Sequence, residues 1–311
     1  MLKYNHIKRN VNGILLLDKP VGLTSNAALQ QVKKIFNAKK AGHTGSLDPL
    51  ASGILPICLG LATKLSRYLL ESNKTYSVIM KLGEITSTLD SEGVLLKTCI
   101  VHKNVFKNIT NVVQKFLGES YQIPPLYSAV KYQGISLYKY ARKNIIPPRT
   151  LRKIFIKKIS VVSIYKNYVK IIVTCSKGTY IRTLIDDIGN ILGCGAHVVY
   201  LRRIKLFIYE LYHTISLQKL NQIQKKHNSY ESSYYNHLDL FLLPMDHPIS
   251  DFQYYCLDTK EIYMFKNGSK INIKQNILTG LIRVLRKNDK KFIGLGIIQE
   301  DHFLYPKKIF I

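Results

Sequence analysis

Gly42-His43-Thr44-Gly45-Ser46-Leu47-Asp48-Pro49-Leu50-Ala51-Ser52-Gly53 stands between a helical pattern and the apolar run Ile54 to Leu59. It reads as a loop built to hold one carboxylate. Its glycines permit backbone angles closed to other residues, and Pro49 biases Asp48 away from helical geometry toward extended. Asp48 is therefore expected on irregular backbone. Taken alone, an Asp-Pro step reads as a turn, because each residue favours turns for local reasons. A histidine, neighbouring hydroxyl side chains and a basic chain make this stretch a candidate site instead.

Upstream, Gly13 to Asp18 reads as a short buried strand closed by the turn Lys19-Pro20-Val21-Gly22. Ala28, Leu29, Val32, Ile35 and Phe36 then recur at helical spacing, with Ser25 as the expected N-cap. Downstream, Ile54 to Leu59 is strand-like and Ala62 to Leu70 helical, carrying Lys64 and Arg67, which read equally as solvated charges. Thr75 to Leu82 alternates like a half-exposed strand with Tyr76 near its start. Val105, Ile109, Val112, Val113 and Phe116 mark an amphipathic helix ending at Gly118.

From Tyr121 to Arg152 the character changes. Tyr127, Tyr132, Tyr138 and Tyr140 interleave with Lys131, Lys139, Arg142, Lys143 and Arg149 between two Pro-Pro pairs. Aromatic faces for unstacked bases and cations for phosphates are what a segment gripping RNA requires. Two strands, Ile154 to Tyr165 and Tyr168 to Cys175, lead to Lys177-Gly178-Thr179-Tyr180-Ile181-Arg182 and a helix whose apolar face runs to Leu192. With Thr179 as its expected cap, Arg182 falls in the first turn. A cation there opposes the helix dipole, so an anion nearby is expected. His247 to Ser250 reads as a linker into short alternating segments, a small β unit.

The 311 residues hold 46 Lys and Arg against 19 Asp and Glu, a formal charge of +27 that favours a polyanionic partner, nucleic acid before membrane. Abundant Lys, Ile, Asn and Tyr with no Trp is also what A+T-rich codons produce, so codon drift competes as a cause of that charge. Five scattered cysteines form no CxxC pair, and neither a zinc site nor a disulfide framework is expected. No P-loop, dinucleotide fingerprint or metal cluster is present, so no cofactor and no metal are expected. Ile14 to Leu17 is too short for a signal-peptide core and no stretch approaches a membrane span, which makes the cytoplasm the expected location.

The pattern G-H-T-G-x-L-D-P-x-A-x-G resembles the catalytic motif of the TruB family, bacterial tRNA pseudouridine-55 synthases. Lys19-Pro20-x-Gly22, Thr86-x-Thr88-x-Asp90, Lys177 to Arg182 and Gly195-Ala196-His197 through Tyr200-Leu201-Arg202-Arg203 resemble further motifs of that family, in family order. The resemblance implies an α+β fold with a mixed central sheet flanked by helices, catalytic over 1–250 with 121–152 as an inserted RNA-gripping segment. Residues 251–311 more loosely resemble a PUA RNA-binding module. It also implies isomerisation of a T-loop uridine of tRNA, with Asp48 as nucleophile attacking either base or ribose and Arg182 pairing with it. Tyr76 would stack on the target base and help remove the C5 proton. Tyr180 and Leu201 would line the base pocket, His43 would hold the opened T-loop, and Lys19, Lys64 and Asp90 are further expected substrate contacts. Ser46, Ser52 and Leu61 depart mildly from the family pattern, away from these positions. A monomer acting without guide RNA or protein partner is expected. The alternatives are a non-catalytic tRNA-folding chaperone, against which an intact Asp48, Tyr76 and Arg182 argue, and the catalytic subunit of a guide-RNA particle.

Overall fold

The computed structural model describes residues 8–226, 232–273 and 277–310. In chain order the elements that frame the site are β1 (Gly13–Lys19), α1 (Ser25–Ile35), β2 (Ala41–His43), β3 (Ser52–Leu59), α2 (Ser66–Glu71), β4 (Lys74–Leu82), β5 (Glu84–Thr86), β6 (Leu95–Thr98) and α3 (Lys103–Gln114). They continue with β7 (Gly118–Gln122), β8 (Lys131–Tyr132), β9 (Ile135–Ser136), α4 (Leu137–Ala141), β10 (Arg152–Tyr165), β11 (Tyr168–Cys175), α5 (Ile181–Ile191) and β12 (Ala196–Leu206). The fold is α+β. Its main sheet runs β1-β3-β12-β4-β11-β10-β7, with β3 and β12 parallel and the other neighbours in that path antiparallel.

The apolar run of β1 is legible as a strand buried on both faces. Leu15 and Leu17 pack with Ala28, Leu29, Val32 and Ile35 of α1, whereas Ile14 and Leu16 pack on the other face with Ile54, Cys58, Leu69 and Tyr209. Period-two alternation sends neighbouring side chains into separate clusters. β3 does the same with Leu55 and Ile57 on one side and Ile54 and Cys58 on the other. Pinned between two apolar layers, β3 gives the loop before it a fixed exit point.

Several local expectations need correction. The N-cap of α1 is Thr24, whose hydroxyl accepts from the Ala27 N–H at 3.0 Å. Ser25 is instead buried, and its Oγ accepts from the Leu47 N–H at 2.7 Å and lies 3.0 Å from the Leu47 carbonyl, tying the helix to the central loop. Thr179 caps nothing, for its hydroxyl donates to the Ser176 carbonyl, and α5 starts after Tyr180 without a side-chain cap. Gln122 takes over at that end, accepting from the Tyr180 N–H at 3.0 Å and donating to its carbonyl at 3.3 Å. The single helix expected over Ala62 to Leu70 is a 3-10 turn, Gly60–Lys64, followed by α2.

The C-terminal residues form a five-stranded sheet of Tyr254–Leu257, Ile271–Asn272, Gly280–Arg286, Phe292–Ile298 and Phe303–Ile309 around Leu257, Val284, Ile293 and Leu304. A helix, Thr259–Lys266, lies within it, announced by an Asp258–Glu261 capping box that the reading of this region as purely β passed over. The expected linker at His247 to Ser250 is not a free one. Ile249 is fully buried with Leu65, Leu285, Phe292, Leu295 and Phe310, so an apolar cluster docks the module against the 3-10 turn and α2. Among the described residues no helix is long and apolar enough to cross a membrane.

Candidate active site

The loop after β2 is held at many points before it presents Asp48. The Thr44 N–H donates to Pro56 O at 3.1 Å, the Gly22 N–H to Pro49 O at 2.8 Å, and the Ala51 N–H to Asp48 O at 3.0 Å. Leu47 is buried under the Ser25 tether. Gly53, at φ +102°, closes the loop where a Cβ would lie 2.2 Å from the carbonyl oxygen of Arg203, so only glycine fits between β3 and β12 there. The carboxylate thus leaves irregular but over-determined backbone.

Arg182, in the first turn of α5, meets that carboxylate two-pronged: Nε lies 2.9 Å from Oδ2 and Nη2 donates to Oδ1 at 3.0 Å. Its remaining donors reach the Thr88 carbonyl at 2.9 Å, the Tyr127 carbonyl at 2.8 Å and Asp90 Oδ2 at 3.5 Å. The Arg182 side chain is 4% exposed and that of Asp48 36%, so the cation is walled in while the anion opens to solvent. Planar pairing of this kind fixes direction as well as charge. Burial pushes the Asp48 carboxyl above the ordinary aspartate value; Arg182 opposes this, Asp90 adds to it, and Lys19 opposes it more weakly. The anion expected beside Arg182 is therefore Asp48, backed by Asp90.

Tyr76, on β4, is buried beside the pair, and burial raises its phenol while the neighbouring Arg203 guanidinium opposes the rise. Tyr180 is half-buried; burial raises its phenol too, opposed by the Ser128 hydroxyl. Leu201, on β12, is buried in the main core cluster with Tyr76. His43 ends β2 half-buried with its Nδ1 unpaired, and burial, then Arg203, lower its pKa, so the ring is neutral at neutral pH.

Three further residues expected to contact substrate are placed as follows. Lys19 is fully buried, its Nζ donating to the carbonyls of Pro20 at 2.7 Å and Leu23 at 2.6 Å, with desolvation lowering its pKa to about 8 despite the raising effect of Asp48. It clips the turn on which the Asp48 loop rests and offers no free ammonium to a phosphate. Asp90 is 2% exposed and turned to Arg182, with Thr88 Oγ and the Glu92 N–H on its other oxygen, so it supports the arginine from behind. Lys64 is exposed, but it ends the 3-10 turn at the C-terminal module, its Nζ 5.5 Å from the Phe310 ring centroid and its carbonyl accepting from Lys308. The structure does not bring it to Asp48. Arg203, Lys74, Gln122 and Ser25 belong to the support of the site, a role the sequence did not assign them; the Lys74 ammonium donates to the Leu70 and Ser72 carbonyls at 2.6 Å each while its stem passes under Gly45.

In the inserted segment, Tyr132 and Tyr140 pack edge to face and the Arg142 guanidinium lies 5.5 Å from the Tyr138 ring. Tyr127, Tyr132, Tyr138 and Tyr140 are half-buried and none is full core, while Lys131, Lys139, Arg142, Lys143 and Arg149 face solvent. Through the Tyr127 carbonyl on Arg182 this segment is continuous with the site.

A mixed sheet whose central strands frame a loop aspartate locked to a buried arginine is the pseudouridine synthase fold, and the solved structures agree. The chain matches one in the crystal structure of a Cbf5-Nop10-Gar1 complex with a TM-score of 0.68 and 26% identity, over 96% of this chain and 85% of that one. The archaeal box H/ACA sRNP Nop10-Cbf5 complex shares the fold at a TM-score of 0.66 and 23% identity, covering 96% and 86%. Family models match in sequence: TruB family pseudouridylate synthase (N terminal domain) at 33–181, tRNA pseudouridylate synthase B C-terminal domain at 182–250, and Pseudouridine synthase II TruB, C-terminal at 256–310. The tRNA pseudouridine synthase B of Buchnera aphidicola subsp. Acyrthosiphon pisum is 44% identical over 304 residues, 98% of this chain and 97% of that protein. That of Escherichia coli is 44% identical over 303 residues, 97% and 96% of the two chains. The chain belongs to the TruB family of pseudouridylate synthases.

Proposed function

We propose that this protein converts the T-loop uridine at position 55 of tRNA to pseudouridine, with Asp48 as nucleophile. The observation that carries the reading is the two-pronged Asp48–Arg182 pair, buried on the arginine side and open on the aspartate side, beside Tyr76. The reaction exchanges one bond for another: C1′–N1 breaks, C1′–C5 forms, and one proton leaves C5 while one arrives at N1. An ionised carboxylate aimed by a rigid donor can attack while its own charge stays compensated. A stacked T-loop base cannot reach a carboxylate so placed, so the nucleotide must flip out, with Tyr76, Tyr180 and Leu201 forming its pocket and neutral His43 filling the space left in the loop.

In this reading residues 1–250 carry the chemistry, and the 121–152 segment with the 251–311 module grips the T-arm through the excess of basic side chains. The protein acts in the cytoplasm as a monomer without guide RNA. A second reading, a catalytic subunit that needs an RNA guide, is favoured only by the solved relatives, which are particles with partner proteins. Incubating the chain alone with unmodified tRNA and mapping pseudouridine by primer extension separates the two. Full conversion confined to position 55 is expected; conversion only on adding guide RNA and partner proteins would contradict the proposal.

A further inference from the structure

Arg203 is among the largest fully buried side chains, 1% exposed, and its described hydrogen bonds end on backbone carbonyls: Nε donates to Ile54 O at 2.7 Å and Nη2 to Gly45 O at 3.1 Å. A guanidinium cannot shed its charge, and burying one without a carboxylate is costly. Register shows what this cation serves. On β12, Arg203 is the direct partner of Tyr76 on β4 and of Gly53 on β3, so it lies between the pocket tyrosine and the end of the Asp48 loop. Cross-strand partners hold their Cβ atoms roughly 5 Å apart. The guanidinium lies beside the Tyr76 hydroxyl, and its two carbonyl contacts pin both arms of the loop that carries Asp48.

We propose that Arg203 is a positioning residue that acts through Tyr76, holding the phenol so that its O–H donates into the base pocket. The argument rests on donor chemistry. Arg203 has donors only and can meet the phenol only at its oxygen, which leaves the phenol proton free to point away from the cation and toward the base. Burial raises the phenol pKa, so that proton is present at neutral pH. When an Asp48 oxygen bonds C1′ and C1′–N1 breaks, the bonding pair stays with N1 and uracil leaves as an anion with charge on its carbonyl oxygens; C1′ then passes to C5, and the carboxylate is released. A fixed donor with a permanent cation behind it stabilises charge that exists only at that stage. Tyr76 then acts on the departing uracil as a hydrogen-bond donor.

This inference rests on the uridine isomerisation proposed above, and its test keeps the two apart. Single-turnover rates and tRNA affinity are measured for the wild-type chain, Arg203→Lys, Tyr76→Phe and the double variant, on tRNA carrying uridine or 5-fluorouridine at the target. Fluorine stabilises the uracil anion without help from the protein. On uridine, Arg203→Lys is expected to lose at least about tenfold in rate with affinity within about threefold, and to add less than about threefold to Tyr76→Phe, since the two residues form one unit. On 5-fluorouridine, both single-variant losses in the rate of substrate consumption should shrink to under about threefold. Should Arg203→Lys fail to fold, the Tyr76→Phe comparison of the two substrates decides alone. Losses that multiply in the double variant, or that are equal on the two substrates, overturn the role of Arg203 and Tyr76 while leaving the isomerase reading intact. A wild-type chain that converts neither substrate overturns both.

Discussion

Arg182 faces Asp48 with two of its nitrogens, donates to the carbonyls of Thr88 and Tyr127, and lies 3.5 Å from Asp90. Lysine in its place keeps the charge but cannot supply a planar fork, so Asp48 stays compensated yet loses its aim. Arg182→Lys should lower the single-turnover rate at least tenfold, about 1.4 kcal/mol of barrier, with tRNA affinity nearly unchanged. Wild-type rates would mean that direction at Asp48 does not matter. Lys19 is testable through pH. Its folded pKa of about 8 lies below the unfolded value of about 10.4, so between these values the unfolded chain holds the extra proton and stability rises with pH. Urea unfolding at pH 8 and 9.5 should show a larger gain for wild type than for Lys19→Met; equal gains would contradict a buried, desolvated ammonium. Asp48 and Arg182 were legible because each sits in a long motif. Lys19 was legible as a motif member but not as a turn clip, because burial of an ammonium by two carbonyls leaves no trace in residue spacing.

At the level of elements, β3 and β12 run parallel for only Ser52–Arg202 and Gly53–Arg203, and the Asp48 loop closes at that contact. Gly53→Ala would drive a Cβ into the Arg203 backbone at 2.2 Å with φ at +102°, whereas Gly22, at φ +86°, has open space around it. Both substitutions carry backbone strain, but only the first must also push β3 and β12 apart. Gly53→Ala is expected to cost at least ~2 kcal/mol more than Gly22→Ala in urea unfolding. Equal costs would show that the contact does not fix the loop. Strands and helices were readable where apolar period was strong, as in β1, β3 and α5. Cap positions were not, because Thr24 and Ser25 are adjacent hydroxyls and packing against Leu47 decides which of them caps. Arg203 was quoted within a motif but given no role of its own for a related reason: it stands opposite Tyr76 and Gly53 at once, a fact of register rather than of sequence.

On the scale of the whole molecule, the proposed chemistry and the proposed RNA grip are joined through the main sheet. The inserted segment reaches the site through the Tyr127 carbonyl, and the C-terminal module docks through Ile249, Leu285, Phe292 and Phe310 on the side where Lys64 and Lys308 meet. His247 to Ser250 read as a linker because the stretch is short and polar at its ends; that Ile249 is core depends on Leu65, far away in the chain. Such an arrangement predicts that binding and catalysis come apart under a substitution confined to the carboxylate. Asp48→Asn keeps shape and can still accept from Arg182, but it is no nucleophile at neutral pH. The direct test is single-turnover pseudouridine formation by Asp48→Asn beside its tRNA dissociation constant: the account predicts no conversion with affinity within a few-fold of wild type, and measurable turnover by the asparagine variant would contradict it.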